Sequence, residues 1–83
     1  MTAMKRIIIL VSPAGRKLWR LRIKHDKINR TYARQADAIA YGRAAGRDFK
    51  AQGLLAELII MRADGTFSPR GSTYGRDPGQ SHG

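Results

Sequence analysis

The sequence predicts an α+β domain of two layers, a sheet with a single helix packed across one of its faces. Three features predict it: a β-branched run near the start, a strict two-residue alternation from Leu18 to His25, and an alanine-rich stretch without proline from Gln35 to Gln52. Ile7 to Ser12 is that first run, and the Pro13-Ala14-Gly15 that follows reads as a turn. Within Leu18–His25, Trp19, Leu21 and Ile23 point one way and Arg20, Arg22 and Lys24 the other, so one face is buried and the other is wet. Asp26-Lys27 reads as a turn and Ile28 to Tyr32 as a short third strand. Three strands with short connections imply an antiparallel meander.

The stretch from Gln35 to Gln52 is helical by composition, and Gly53 stands where a glycine commonly ends a helix. Its inner stripe is Ala38, Ile39, Gly42, Ala45, Gly46 and Phe49, spaced by three and four. Two glycines there cost about 0.8–1 kcal/mol each relative to alanine; the expected compensation is a close approach of helix backbone to sheet. Arg43 and Arg47 lie on the outer side, a like-charge pair that helix stability alone does not select.

Glu57 to Arg62 reads as a fourth strand. Ala63-Asp64-Gly65 then signals a hairpin, with Asp-Gly suited to a type I′ turn, and Thr66-Phe67-Ser68 begins a fifth strand that Pro69 confines to an edge or a strand end. From Gly71 onward glycine, serine and proline dominate, and residues 79–83 are expected to be a disordered tail. The expected order is β-β-β-α-β-β in one domain over residues 1–78.

At 83 residues the chain supports one modest core, for which a 42% hydrophobic fraction is sufficient. It has no cysteine, which removes disulfides, thiolate metal sites and a cysteine nucleophile, and suits a reducing cytoplasm. Lys5 and Arg6 before Ile7–Val11 only faintly mimic a signal peptide: the apolar run is too short, and Pro13, Arg16 and Lys17 follow it closely. No stretch approaches the ~20 apolar residues that span a bilayer. A cytoplasmic location with no membrane partner is expected.

Catalytic candidates are few. His25 and His82 have no carboxylate at ligand spacing, and Asp26, adjacent to His25 on a presumed strand, would face the other way. Ser72, Thr73 and Tyr74 have no nearby base, and the scattered glycines form no phosphate-binding turn. Six acidic residues leave little for acid–base chemistry. No enzyme activity, metal or cofactor is expected.

Charge is the dominant feature. Sixteen Lys+Arg stand against six Asp+Glu, a formal net of +10, and eleven of the sixteen are arginine, the forked donor suited to phosphate and to protein carboxylates. Alternation places Arg20, Arg22 and Lys24 on the uncovered side of the sheet, with Arg16 and Lys17 in the preceding turn and Arg30 on the next strand extending the patch. A ribbon of this width fits a B-DNA major groove, about 12 Å across, or lies along RNA. The bland alternative is a solvated face that protects an edge. Trp19, in register with Leu21 and Ile23, belongs to the core; Tyr74 is the better stacking candidate.

The same residues resemble a family of short bacterial proteins known only as a domain of unknown function. Val11 and Pro13, Trp19, Tyr32, then Ala36, Ala38 and Ile39 carry the resemblance, followed by Glu57-Leu58-Ile59-Ile60, Asp64-Gly65 and the Tyr74-Gly75-Arg76-Asp77-Pro78 ending. It covers Ile8 to Pro78 and implies a fold but no activity. The family usually places Thr before the helix as its N-cap; Arg34 stands near that position here, with Asp37 as the N3 acid, so a weaker or shifted cap is expected. A second resemblance links Trp19–Lys24, Thr31-Tyr32, Ala36–Tyr41 and Ala44-Ala45 to the AP2-type DNA-binding domain. Like the arm-binding domains of phage integrases, that domain lays a three-stranded sheet into the major groove, and by that analogy Arg20, Arg22 and Lys24 face DNA.

The resulting expectation is a non-enzymatic nucleic-acid-binding protein of low sequence specificity, contacting DNA or RNA through Arg16, Lys17, Arg20, Arg22, Lys24 and Arg30. The alternative is a phage or mobile-element inhibitor, of the anti-CRISPR or anti-defence type, that binds an acidic protein or nucleoprotein surface. A homodimer paired through an exposed strand edge is a third possibility.

Overall fold

A computed structural model describes residues 6–75. The α+β class holds, with five strands in one sheet and one helix. Strand β1 spans Arg6–Pro13, β2 Trp19–Ile23, β3 Ile28–Tyr32, helix α1 Gln35–Ala51, β4 Leu55–Ile60 and β5 Ser72–Tyr74. In the sheet they lie in the order β3-β2-β1-β4-β5. The first three strands form the expected antiparallel meander, whereas β1 and β4 pair in parallel, which makes the sheet mixed. This follows from the crossover. The helix descends from the end of β3 and returns the chain to start β4 beside β1; at about 1.5 Å per residue its 17 residues match the length of an eight-residue strand.

Alternation along each strand divides the sheet into two faces. Ile7, Ile9 and Val11 of β1, Leu21 and Ile23 of β2, and Leu58 and Ile60 of β4 are buried with Ala38 and Phe49 of the helix, and Trp19, Ile39 and Ala45 pack against them. The close approach anticipated from the helix glycines is present. A Cβ on Gly42 would lie 2.8 Å from Leu58 Cδ1, 3.3 Å from Ile9 Cγ2 and 3.4 Å from Leu21 Cδ1, so Gly42 sits over three strands at once. A Cβ on Gly46 would collide with the ring of Tyr74. Replacing Gly42 with alanine gains about 1 kcal/mol of helix propensity but overpacks the interface, which typically costs ~1–3 kcal/mol. A net loss is expected, read as a lower midpoint in thermal melting followed by circular dichroism. A midpoint at or above that of the parent would show slack between helix and sheet.

Several elements differ from expectation. The second strand ends at Ile23, because Lys24–Asp26 turns into a short 3-10 helix closed by Lys27 in the left-handed region (φ 56°). The fourth strand begins two residues before the expected Glu57 and ends at Ile60. The Asp-Gly turn is not type I′: of its residues only Gly65 has positive φ (89°). Gly65 N–H donates to Arg62 O at 3.0 Å and Arg62 N–H to Thr66 O at 2.6 Å, a type I turn followed by a glycine bulge. Residues 66–68 do not begin a strand. Phe67 makes one isolated bridge to Met61, and the fifth strand forms only after Pro69, at Ser72–Tyr74. At the start of the helix Arg34 is the N-cap and offers no side-chain bond, as the missing threonine suggested; Asp37 in the first turn and Lys50 in the last complement the helix dipole. Residues 79–83 lie outside the described residues.

Candidate nucleic-acid interface

Arg20 and Arg22 lie on the face of the sheet that the helix does not cover. Arg20 is level with Ser12 of β1 and Thr31 of β3, and Arg22 with Leu10 and Asn29. Ile59 of β4 continues the second row beyond Leu10. This open face is therefore cationic and polar on the β2–β3 side, while across β1 and β4 it carries Ile8, Leu10 and Ile59 beside the Arg6–Glu57 pair, and Ile8 is 39% exposed. Arg20 is half-buried, and its Nε is shielded from solvent without a hydrogen-bond partner among the described residues. Arg6 Nη1 donates to Glu57 Oε1 at 3.0 Å.

Two of the expected contacts are not on this face. Arg30 stands opposite Leu21 in the β2–β3 register, and paired residues share a face, so Arg30 lies on the helix side with its guanidinium carbon 4.9 Å from the Tyr41 ring centre. Lys24 is exposed but opens the 3-10 turn, beyond the strand whose alternation was to aim it. Nor does the three-stranded ribbon stand alone: β4 and β5 extend it past β1. Five strands about 4.8 Å apart measure roughly 19 Å across, wider than the about 12 Å major groove. The whole face does not enter that groove.

Topology assembles a cationic cluster that linear spacing hides. β1 and β4 run in parallel, so the segments after them, 14–18 and 61–70, emerge at the same end of the sheet. β2 begins there, β3 ends there, and the helix begins there. Arg16, Lys17, Arg20, Arg34, Arg62 and Arg70 are thus gathered at one end, and all but Arg20 are exposed. Among the described residues, the acids of that end are Asp37 and Asp64. Asp64 is occupied by its own turn: its Oδ1 accepts from Thr66 Oγ1 at 2.6 Å and Thr66 N–H at 2.9 Å, and these bonds, with the Arg62 charge, hold the carboxyl below its ordinary range. Arg62 Nη1 donates weakly to Thr66 Oγ1 at 3.5 Å. Arg34, Arg62 and Arg70 were not among the expected contacts: Arg34 is brought beside Arg20 by the antiparallel β2–β3 pairing, and Arg62 and Arg70, distant in sequence, are united with Arg16 only by the parallel pairing.

The 61–70 segment also leaves Phe67 60% exposed, the most exposed large hydrophobic side chain of the described residues. Phe67 and Pro69 form one wall of a shallow cleft of about 360 Å³ on the open face, with Glu57, Ile59 and Thr73 also lining it. A smaller cleft of about 210 Å³, on the helix side of the same segment, is lined by Gln35, Ile39, Arg62 and Arg70. Elsewhere, His25 Nε2 stands 3.8 Å from Asp26 Oδ1, because the 3-10 turn removes the strand geometry that was expected to separate them. The His25 ring meets Phe49 edge-on at 5.8 Å. No group of three or more His, Asp or Glu that could hold a metal occurs among the described residues, and no helix there is long and apolar enough to cross a membrane.

A family model described as an uncharacterized protein conserved in bacteria, DUF2188, matches residues 9–73, which run from within β1 into β5. The chain belongs to DUF2188. The matched span holds the whole cationic cluster, the arginines of the helix-side cleft and Phe67, so these features lie within the DUF2188 domain rather than on an appendage. Of the Tyr74–Pro78 ending, Tyr74 packs on the core beside Gly46, while residues 76–78 lie outside the described residues. Comparison with the curated proteins and with the solved structures finds no match.

Proposed function

We propose that this chain is a small non-enzymatic nucleic-acid-binding protein of low sequence specificity. The observation that carries the reading is the convergence of Arg16, Lys17, Arg20, Arg34, Arg62 and Arg70 at one end of the sheet, continued by Arg22 along the open face. Five of these six side chains are exposed, and of the two acids nearby Asp64 is bound within its own turn. Such an array suits a phosphate backbone, which is recognised by charge and position rather than by base identity. The experiment is fluorescence anisotropy with labelled duplex DNA, single-stranded DNA and RNA between 50 and 300 mM salt. With about five phosphates neutralised, the logarithm of the affinity is expected to fall against log salt with a slope of roughly −3.5 to −4.5. No binding to any of the three at low salt, or a flat slope, overturns the reading.

The apolar strip of Ile8, Leu10 and Ile59 supports a second reading, an inhibitor or adaptor that docks on an acidic protein surface. One stoichiometric partner that co-purifies after nuclease treatment, with no affinity for free nucleic acid, selects it.

A further inference from the structure

We infer that the strand this protein takes is single, and that one of its bases stacks on Phe67 in the cleft between β4 and the 67–71 segment. The inference rests on the nucleic-acid reading and adds to it the form of the ligand and the contact made with a base.

Phe67 is placed at a loss. Full burial of a phenylalanine side chain is worth about 1.5–3 kcal/mol, yet this ring is 60% exposed. Its backbone is nonetheless held firmly. Phe67 bridges Met61, Ser68 N–H donates to Ile60 O at 2.7 Å, and the Asp64–Thr66 bonds lock the turn just before it. A ring presented on an anchored backbone is a preorganised platform, and stacking on such platforms is sequence-tolerant because every base has a π-face.

The cleft beside the ring selects a base rather than a phosphate. Its lining includes Ile59 and Glu57 and no Lys or Arg, and the Glu57 carboxylate is already paired with Arg6, so the cleft offers a phosphate no cationic partner of its own. Arg62 and Arg70, on the helix side of the same segment, and Arg20 with Arg16 on the neighbouring hairpin take the phosphates as the strand passes around that end of the sheet. Only an unpaired base can turn from that backbone into the cleft. A duplex presents its bases at the floor of a groove that the roughly 19 Å sheet is too wide to enter.

The test compares wild type with Phe67→Ala, Phe67→Leu and Phe67→Trp on labelled 15-nucleotide oligo-dT, oligo-U and a 15-base-pair duplex. Wild type is expected to bind the single strands at least tenfold more tightly than the duplex. Phe67→Ala should weaken single-strand binding by roughly 5- to 150-fold while leaving the duplex affinity and the melting temperature nearly unchanged. Phe67→Leu, which stays apolar but has no ring, should behave as the alanine variant, and Phe67→Trp should restore binding. Single-strand affinity unaffected by Phe67→Ala, equal binding by the leucine variant and wild type, or a preference for duplex each overturns the inference while nucleic-acid binding stands. Failure of wild type to bind any of the three probes overturns both.

Discussion

Replacing Leu58 with alanine is expected to destabilise the domain by about 2–5 kcal/mol. Leu58 is 1% exposed at the centre of β4, lies beside Ile9 of β1 and carries the methyl group that sits closest under Gly42 of the helix. Truncation therefore removes contact with two sheet strands and the helix together, and the surrounding elements close the void only in part. At about 0.05–0.15 kcal/mol per residue, a domain of 83 residues has roughly 4–12 kcal/mol of stability in all. The variant should melt about 10–30 °C lower, and urea unfolding should show a reduced midpoint at unchanged slope. The neighbouring Ile59 provides the contrast. It lies on the open face and is half-buried, so Ile59→Ala should lose less than about half as much. Equal losses at the two positions would contradict the division of the sheet into a covered and an open face.

The largest functional effect should come from removing three charges at one end. Arg16, Arg62 and Arg70 are exposed, and Arg62 makes only the weak bond to Thr66, so their combined replacement by alanine should leave the melting temperature almost unaltered. Each phosphate contact contributes 0.7–0.9 to the salt slope, which at 0.1 M salt is about five- to eightfold in affinity. Loss of three such contacts should weaken binding by roughly 100- to 500-fold and reduce the slope by about 2–3. Replacing Lys24, Lys27 and Lys50 at the opposite end changes the net charge by the same amount and should weaken binding by less than about tenfold, through the long-range field alone. Comparable losses from the two triple variants would show that net charge rather than a located cluster carries the affinity.

The elements differ in how far their residues alone specify them. The alternation in Trp19–Ile23 and the three–four spacing in the helix set which side chains are buried, and those assignments hold because each depends only on a period and a solvent boundary. Gly42 and Gly46 mark the close approach of helix and sheet for the same reason. Strand ends were harder. Nothing in Lys24-His25-Asp26 forbids extension of β2, and the 3-10 turn forms because Lys27 takes a left-handed conformation that reverses the chain into β3. The Asp-Gly signal located the turn correctly but not its type, because Asp64 bonds to Thr66 instead of adopting positive φ itself.

The site was less legible than the fold. Arg20 and Arg22 follow from the period of their own strand. Arg30 does not, because its face depends on the β2–β3 register: Leu21 stands opposite it, and a shift of one residue would have reversed the outcome. Arg62, Arg70 and Phe67 are separated from the β2 arginines by the helix and β4, and their proximity depends on strand order.

Composition and the periods of 2 and 3.6 residues are enough to specify the α+β class, the strong cationic excess, the helix and the buried stripes. Where the charge collects depends instead on how the strands are ordered in the sheet. The parallel pairing of β1 with β4 is a non-local choice, made by a helix that spans the sheet and returns the chain beside its first strand. That pairing sends the loops after both strands to one end, bringing Arg62, Phe67 and Arg70 to Arg16 and Arg20. A cation's neighbours across a sheet are set by strand order and register, and neither is a property of any local run of residues.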